Sequence, residues 1–115
     1  MILNKAKRIA EINDAFRRSF QGGHVVVTQG VQRLDKQEKY ELFKKVQEYS
    51  RFHPDNDPHG EHDFGVIFLG SIYSEQTKLF WKIDYYDLSM NRASEDPANT
   101  DITKRVLTIM LADEY

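Results

Sequence analysis

Lys78-Leu79-Phe80-Trp81-Lys82-Ile83-Asp84-Tyr85-Tyr86-Asp87 alternates without a break. In an extended chain, Leu79, Trp81, Ile83 and Tyr85 fall on one side, and Phe80, Lys82, Asp84 and Tyr86 on the other. A period of two sustained this long predicts a β-strand with one core face. The second face is aromatic at both ends and charged in the middle. Such a face is either a half-covered sheet surface or the wall of a binding site. Upstream, Phe64-Gly65-Val66-Ile67-Phe68-Leu69 is a short, continuous apolar run, as expected of a buried strand. Gly70-Ser71, or the polar run Ser74-Glu75-Gln76, would close a hairpin between the two.

Further towards the N-terminus the period changes. Over residues 4–20, Ile9, Ile12, Phe16 and Phe20 make one stripe with Ala6 and Ala10 beside it, which predicts an amphipathic helix. Asn4 is the expected N-cap, and Gln21-Gly22-Gly23 the expected stop. His24-Val25-Val26-Val27-Thr28 reads as a strand, with Val on both faces, as in a strand covered on both sides or central in its sheet. A second helix is expected to start at Asp35, with Glu38 completing a capping box. Its stripe is Leu42, Phe43, Val46 and Tyr49, and Pro54 should end it near Phe52 or His53. After a polar connection over residues 88–100, the last element, beginning near Asp101, fits a helical period at Ile102, Val106, Ile109 and Met110. A strand over Arg105–Leu111 is the rival reading. The expected fold is therefore α+β and a single domain over residues 1–115. A small antiparallel sheet of three or more strands is packed by two or three helices.

Composition removes several classes of chemistry. With 115 residues the chain can build one core. It has no cysteine, so disulfides, thiolate metal sites and cysteine nucleophiles are excluded. No apolar run reaches membrane-spanning length and no apolar segment follows the basic start, so a cytoplasmic protein without a secretory signal is expected. No Gly-x-Ser-x-Gly elbow is present, and Gly22-Gly23 precedes a strand rather than a helix, unlike a phosphate loop. Charge is divided unevenly. Residues 1–52 carry eleven Lys/Arg against six Asp/Glu, a net of +5, and residues 53–115 five against twelve, a net of −7. That asymmetry suits pairing within the fold, or two faces for different partners.

The chemistry is concentrated in Asp55-Asn56-Asp57-Pro58-His59-Gly60-Glu61-His62-Asp63, ahead of the first hairpin strand. His and carboxylate side chains this dense are candidate metal ligands, His59, His62 and Asp63 foremost. The start resembles a calcium loop, with Asp55 at position one and Gly60 at six. It fails at position twelve, where a bidentate Glu is needed and Val66 stands. A second candidate constellation joins Glu61, His62 and Asp63 to Lys82 and Asp84, convergent across the hairpin as a hydrolase or nuclease would need. The structural alternative is a loop whose carboxylates accept its own backbone N–H groups, with His62 bridging Glu61 or Asp84.

Four blocks resemble those of an uncharacterised bacterial family known only as a domain of unknown function. They are Asp55-Asn56-Asp57-Pro58, Gly60-Glu61-His62-Asp63-Phe64-Gly65, Phe80-Trp81-Lys82-Ile83-Asp84-Tyr85-Tyr86-Asp87 and Arg105-Val106-Leu107-Thr108-Ile109-Met110-Leu111-Ala112. The opening Arg8–Arg17 is similar too, so the resemblance spans almost the whole chain. It implies a small single-domain protein, often carried on plasmids, phage-like regions and other mobile elements. It supplies no reaction and no catalytic residues.

Two functions are expected from these observations. The first is a non-enzymatic binding protein of mobile-element type, such as an anti-CRISPR or antirestriction inhibitor. It would meet a protein partner, a nucleic-acid-binding host defence complex, through Asp55, Asp57, Glu61, Asp63, Asp84, Tyr86 and Asp87. No cofactor is expected, and direct nucleic-acid binding would fall to the basic helices. The second is a metal-dependent hydrolase or nuclease using His62, Asp63, Glu61, Lys82 and Asp84.

Overall fold

A computed structural model describes residues 4–70 and 75–115. Helix α1 (Lys5–Ser19) leads into strand β1 (His24–Val27), a one-turn helix α2 (Gln29–Gln32) and helix α3 (Lys36–Gln47). Strands β2 (Phe64–Leu69), β3 (Thr77–Tyr86) and β4 (Lys104–Leu111) follow, and a short 3₁₀ turn at Ala112–Glu114 ends the chain. The four strands form one sheet in the order β1-β4-β3-β2. The fold class is α+β. The sheet is mixed: β2–β3 and β3–β4 are antiparallel, whereas β1 runs parallel to β4.

The alternation that predicted β3 sorts the whole sheet. Leu79, Trp81 and Ile83 are buried on one face, in register with Leu107 and Ile109 of β4 and with Gly65 and Ile67 of β2. Val25 and Val27 of β1 join the same face. Phe16 of α1, Val31 of α2, and Leu42 and Val46 of α3 complete this core. Gly65 allows the closest approach: a β-carbon there would lie 2.2 Å from the Trp81 indole nitrogen. The opposite face carries half-exposed or exposed Phe64, Val66, Phe68, Phe80, Lys82, Asp84 and Tyr86 beside buried Met110; Tyr115 packs edge-on against Phe64 and Phe80, and no α-helix is layered on it.

Several local expectations are corrected. The last element is a strand, not a helix. Arg105, Leu107 and Ile109 are buried in alternation with half-exposed Val106 and Thr108, a pattern of period two that pairing with β1 and β3 on either side rewards. Strand β1 lies at an edge rather than centrally, leaving Val26 exposed. Asn4 caps α1 as expected, accepting the Lys7 N–H at 3.2 Å. The left-handed residue that ends α1 is Phe20 (φ 57°), not glycine. Asp35 and Glu38 form the capping box of α3, but that helix stops at Gln47 rather than near Phe52. The reason is Arg17 of α1, whose guanidinium takes the carbonyls of Val46 and Tyr49 and so satisfies the helix end early. Helix α2 was not anticipated. Its start is pinned by the Glu114 carboxylate, which accepts from Thr28 Oγ1 and the Gly30 N–H. The expected hairpin turn at Gly70-Ser71 or Ser74-Glu75-Gln76 lies largely outside the described residues.

Candidate functional site

The loop that joins α3 to β2 folds back onto α1, at the end of the sheet where β2 begins and β3 ends. Its interior is built by its own polar side chains. Asn56 Oδ1 accepts the His53 N–H at 3.0 Å, while its amide donates to the Arg51 carbonyl at 2.8 Å. The Asp57 carboxylate accepts the N–H groups of Glu61, at 3.2 Å, and His62, at 3.3 Å. These are the side-chain-to-backbone bonds that hold a Pro/Gly loop shut. They turn His62 into the left-handed region (φ 56°), uncommon for a residue with a side chain.

That strained backbone aims the imidazole inward. His62 Nδ1 lies 3.0 Å from Asp14 Oδ2, so the proton on Nδ1 is donated to the carboxylate. The ring stacks on Phe52 with centroids 3.9 Å apart and planes 4° from parallel. Asp14 also accepts from Arg17 Nη1 at 2.8 Å. The Arg17 side chain is fully buried, and its guanidinium lies over the rings of Phe52 and Trp81. One carboxylate of α1 thus ties the loop to the end of α3. His62 bridges Asp14 and Asp57, not Glu61 or Asp84 as the sequence suggested.

A second cluster lies beside the first. Asn13 is completely buried, and both its amide N–H groups and its oxygen are hydrogen-bonded. Its amide donates to the Tyr85 hydroxyl at 2.7 Å and the Glu61 carbonyl at 3.0 Å, while its oxygen accepts from Arg105 Nε at 2.7 Å. The Tyr85 hydroxyl has one proton to give and two carboxylates in reach, Asp63 at 3.2 Å and Glu61 at 3.4 Å. Burial raises the proton affinity of both carboxyls, and Asp63 raises that of Glu61 further. Burial likewise pushes the Tyr85 hydroxyl far up, with the Asp63 charge adding to it, so it remains a donor throughout the accessible pH range. Arg105 lies over the Tyr85 ring and reaches the Pro97 carbonyl, which joins the 88–100 connection to the same cluster.

The residues named from the sequence therefore divide. Glu61, His62 and Asp63 are brought close, joined by Asp57. Lys82 and Asp84 are not, because the sheet separates them. The Asp63 carbonyl accepts the Ile83 N–H and its side chain shares the helix side with Tyr85, whereas Lys82 and Asp84 point from the other face and pair with each other at 2.9 Å. The Asp84 carboxylate, through its hydrogen bond and its charge, raises the Lys82 ammonium's hold on its proton. The expected convergence across the hairpin is absent, and the cause is strand parity. His59 is exposed and, with His62, lines an open groove of about 440 Å³ beside α1 that Asp63 does not line. Among the described residues, no three His, Asp or Glu side chains are gathered to hold one ion. Asp55 is exposed in the loop, and Tyr86 and Asp87 lie half-exposed where β3 ends. Asp87 accepts from Ser89 and the Asn91 N–H, capping the turn after β3 and holding its carboxyl below the usual range.

Sequence reasoning missed Asn13, Asp14, Arg17 and Arg105. Polar residues on the inner face of α1 and β4 were the available signal. Arg105 alternates in phase with Leu107 and Ile109, and Asn13 and Arg17 lie one residue from the Ile12–Phe16 stripe. The family described as "Protein of unknown function (DUF3768)" matches residues 27–114. The chain belongs to that family. No curated protein and no solved structure matches it. No helix among the described residues is long and apolar enough to cross a membrane.

Proposed function

We propose that this member of the family is a non-catalytic binding protein whose partner is another protein, met by the helix-free face of the sheet with Asp84, Tyr86 and Asp87, and by Asp55 of the loop. The observation that carries this reading is the missing second layer. Helices cover one face of the sheet, while the other presents aromatic and aliphatic side chains around the Lys82–Asp84 ion pair, with Tyr115 over Phe64 and Phe80. A partly apolar surface without a helical layer is what protein interfaces use at their centre, with charge at the rim. The loop supports the same reading. Asp57, Asp14, Glu61 and Asp63 each already bond another group of the chain, which suits a scaffold better than a set of groups awaiting a substrate.

The acidic rim suits a basic partner surface. Within this reading the protein is bacterial, cytoplasmic and carried on a mobile element, and the partner is the nucleic-acid channel of a host defence complex. Electrostatic attraction would speed and orient that encounter. The metal-dependent hydrolase is the weaker reading, since Lys82 and Asp84 face away from Glu61, His62 and Asp63.

The test is expression in cells that carry a restriction or CRISPR system, with plasmid or phage entry as the readout. Entry should rise with the natural protein and fall back with Asp55→Lys combined with Asp87→Lys, at unchanged protein level. Unchanged entry across such systems would remove the anti-defence role. Nucleic-acid cleavage that Asp63→Ala abolishes would replace binding with catalysis.

A further inference from the structure

We infer that the free edge of β2 is a self-pairing edge, and that two copies of this chain join through it into one continuous antiparallel sheet. The inference does not depend on which partner the open face or the acidic rim meets.

The backbone supplies the first argument. The Ile83 N–H donates to the Asp63 carbonyl at 2.8 Å, so residue 63 belongs to a hydrogen-bonded pair with β3. Antiparallel pairs alternate, so 65, 67 and 69 also bond inward to β3, and Phe64, Val66 and Phe68 turn their N–H and C=O groups outward. Among the described residues, one of these outward groups has a partner: the Phe68 carbonyl accepts from Lys45 Nζ at 2.8 Å. The same ammonium is also 3.2 Å from Glu41, so it keeps that ion pair when a partner strand displaces it from the carbonyl.

The side chains supply the second. An exposed edge is normally blunted by charge, proline, a bulge or brevity. Strand β1, the opposite edge, is four residues long. Strand β2 has six residues, Phe-Gly-Val-Ile-Phe-Leu, with no charge and no proline. Its outward-bonding residues spell Phe-x-Val-x-Phe, symmetric about Val66, and all three side chains stand on the helix-free face. A two-fold axis through Val66 therefore sets Val66 against its copy, and each Phe64 against Phe68 of the other chain. Every pair is then an apolar pair of the kind that stabilises antiparallel strands. The symmetry singles out a second copy over an unrelated strand, because an isologous contact needs one patch that complements itself. The resulting sheet has eight strands, twice the four of one chain, with both helical layers on one side.

Sedimentation velocity of the full chain over a wide concentration range tests this, alongside two variants. The natural protein should be a dimer that dissociates on dilution, and Val66→Lys should abolish it by setting like charges opposite each other. The chain has no cysteine, so Val66→Cys introduces a single thiol. Facing residues of a hydrogen-bonded antiparallel pair have Cα atoms about 5.5 Å apart, within disulfide reach. Mild oxidation should therefore link the Val66→Cys variant into a covalent dimer, and should not link Tyr40→Cys on the exposed side of α3. A natural protein that stays monomeric throughout overturns the inference. So does a dimer in which the Val66→Cys variant does not cross-link faster than Tyr40→Cys, since its interface then lies elsewhere. If Val66→Lys fails to fold by circular dichroism, the cross-linking comparison decides alone.

Discussion

On the helix side of the sheet, Arg17, Asn13 and Arg105 are buried with hydrogen-bond partners, and among the described residues Trp81 Nε1 is the buried side-chain polar atom without one; on the other face, several apolar groups stand half-exposed. Arg17, Asn13 and Arg105 sit among Trp81, Phe16 and Leu107 with their hydrogen-bonding capacity engaged. Phe68 and Val66 stand above the same strands with no helix over them, and Phe80 is met there by the Phe64 and Tyr115 rings. The same alternating sequence produced both faces. The difference teaches that a few charged and polar residues are tied into an otherwise apolar interior, while several apolar residues of the other face are left half-exposed. Each prediction below is a way to break that contrast.

Arg17→Ala should have the largest effect. It strips partners from the Val46 and Tyr49 carbonyls and from the Asp14 carboxylate, and it empties the space over Phe52 and Trp81. Breaking a buried ion pair by removing one member costs about 3–5 kcal/mol, because the remaining charge stays buried without compensation. Urea unfolding monitored by Trp81 fluorescence should show a loss of that size. A loss below about 1 kcal/mol, the range of surface pairs, would mean the helix side is wet in solution.

Asn13→Ala should come next. Arg105 Nε loses its acceptor and the Tyr85 hydroxyl its donor, while the Glu61 carbonyl loses the Asn13 amide. Stranding buried polar groups costs about 1–3 kcal/mol. The same unfolding measurement reads it, and a double variant with Tyr85→Phe should lose less than the sum of the two singles, since both act on one network.

How far the chain could be read in advance follows the same division. The open face was legible because it depends on parity alone: Phe80, Lys82, Asp84 and Tyr86 could be assigned to one side from the strand itself. The loop was legible as a place, since Asp57 and the Pro/Gly spacing predict backbone bonding. Its partners were not, because Asp14 and Asn13 lie 48 residues before His62 and Glu61, and only the tertiary fold sets α1 against the loop. The last strand was misread for a related reason. Ile102, Val106, Ile109 and Met110 satisfy a helical period by themselves, and it took two flanking strands to select period two. The nuclease constellation failed on parity that the sequence already contained. Asp63 is in phase with Gly65 and, through the hairpin register, with Ile83 rather than with Lys82.

Asp63→Asn addresses the same network through pH. The folded chain holds the protons of Asp63 and Glu61 above the ordinary carboxylate range, mainly because burial disfavours the charge. The folded state therefore binds more protons than the unfolded one just above the unfolded value of about 4. The stability these carboxyls contribute is present at lower pH and is lost as pH rises through the raised values. Asparagine keeps an acceptor for Tyr85 and removes the titration. The difference in unfolding free energy between Asp63→Asn and the natural chain should thus grow in favour of the variant from about pH 4 upward and then level off. Parallel pH profiles for the two proteins would show that Asp63 is solvated, and the contrast between the faces would weaken.

Phe68→Ser should have the smallest effect, and it bears most directly on the open face. Phe68 is 47% exposed, so folding of one chain removes only about half of its ring from water. Full burial of a large apolar side chain stabilises by about 1.5–3 kcal/mol, so roughly 1 kcal/mol should be lost. That value holds for a dilute sample in which the face is bare. If two copies pair through β2, the ring is buried further, and the cost of the substitution grows with protein concentration because association stabilises the folded state by mass action. Thermal midpoints of the natural chain would then rise with concentration while those of Phe68→Ser stay flat. A small loss at every concentration would leave the face bare and the apolar residues unused between copies. A loss as large as that of Arg17→Ala even in dilute samples would mean the face is covered by its own chain.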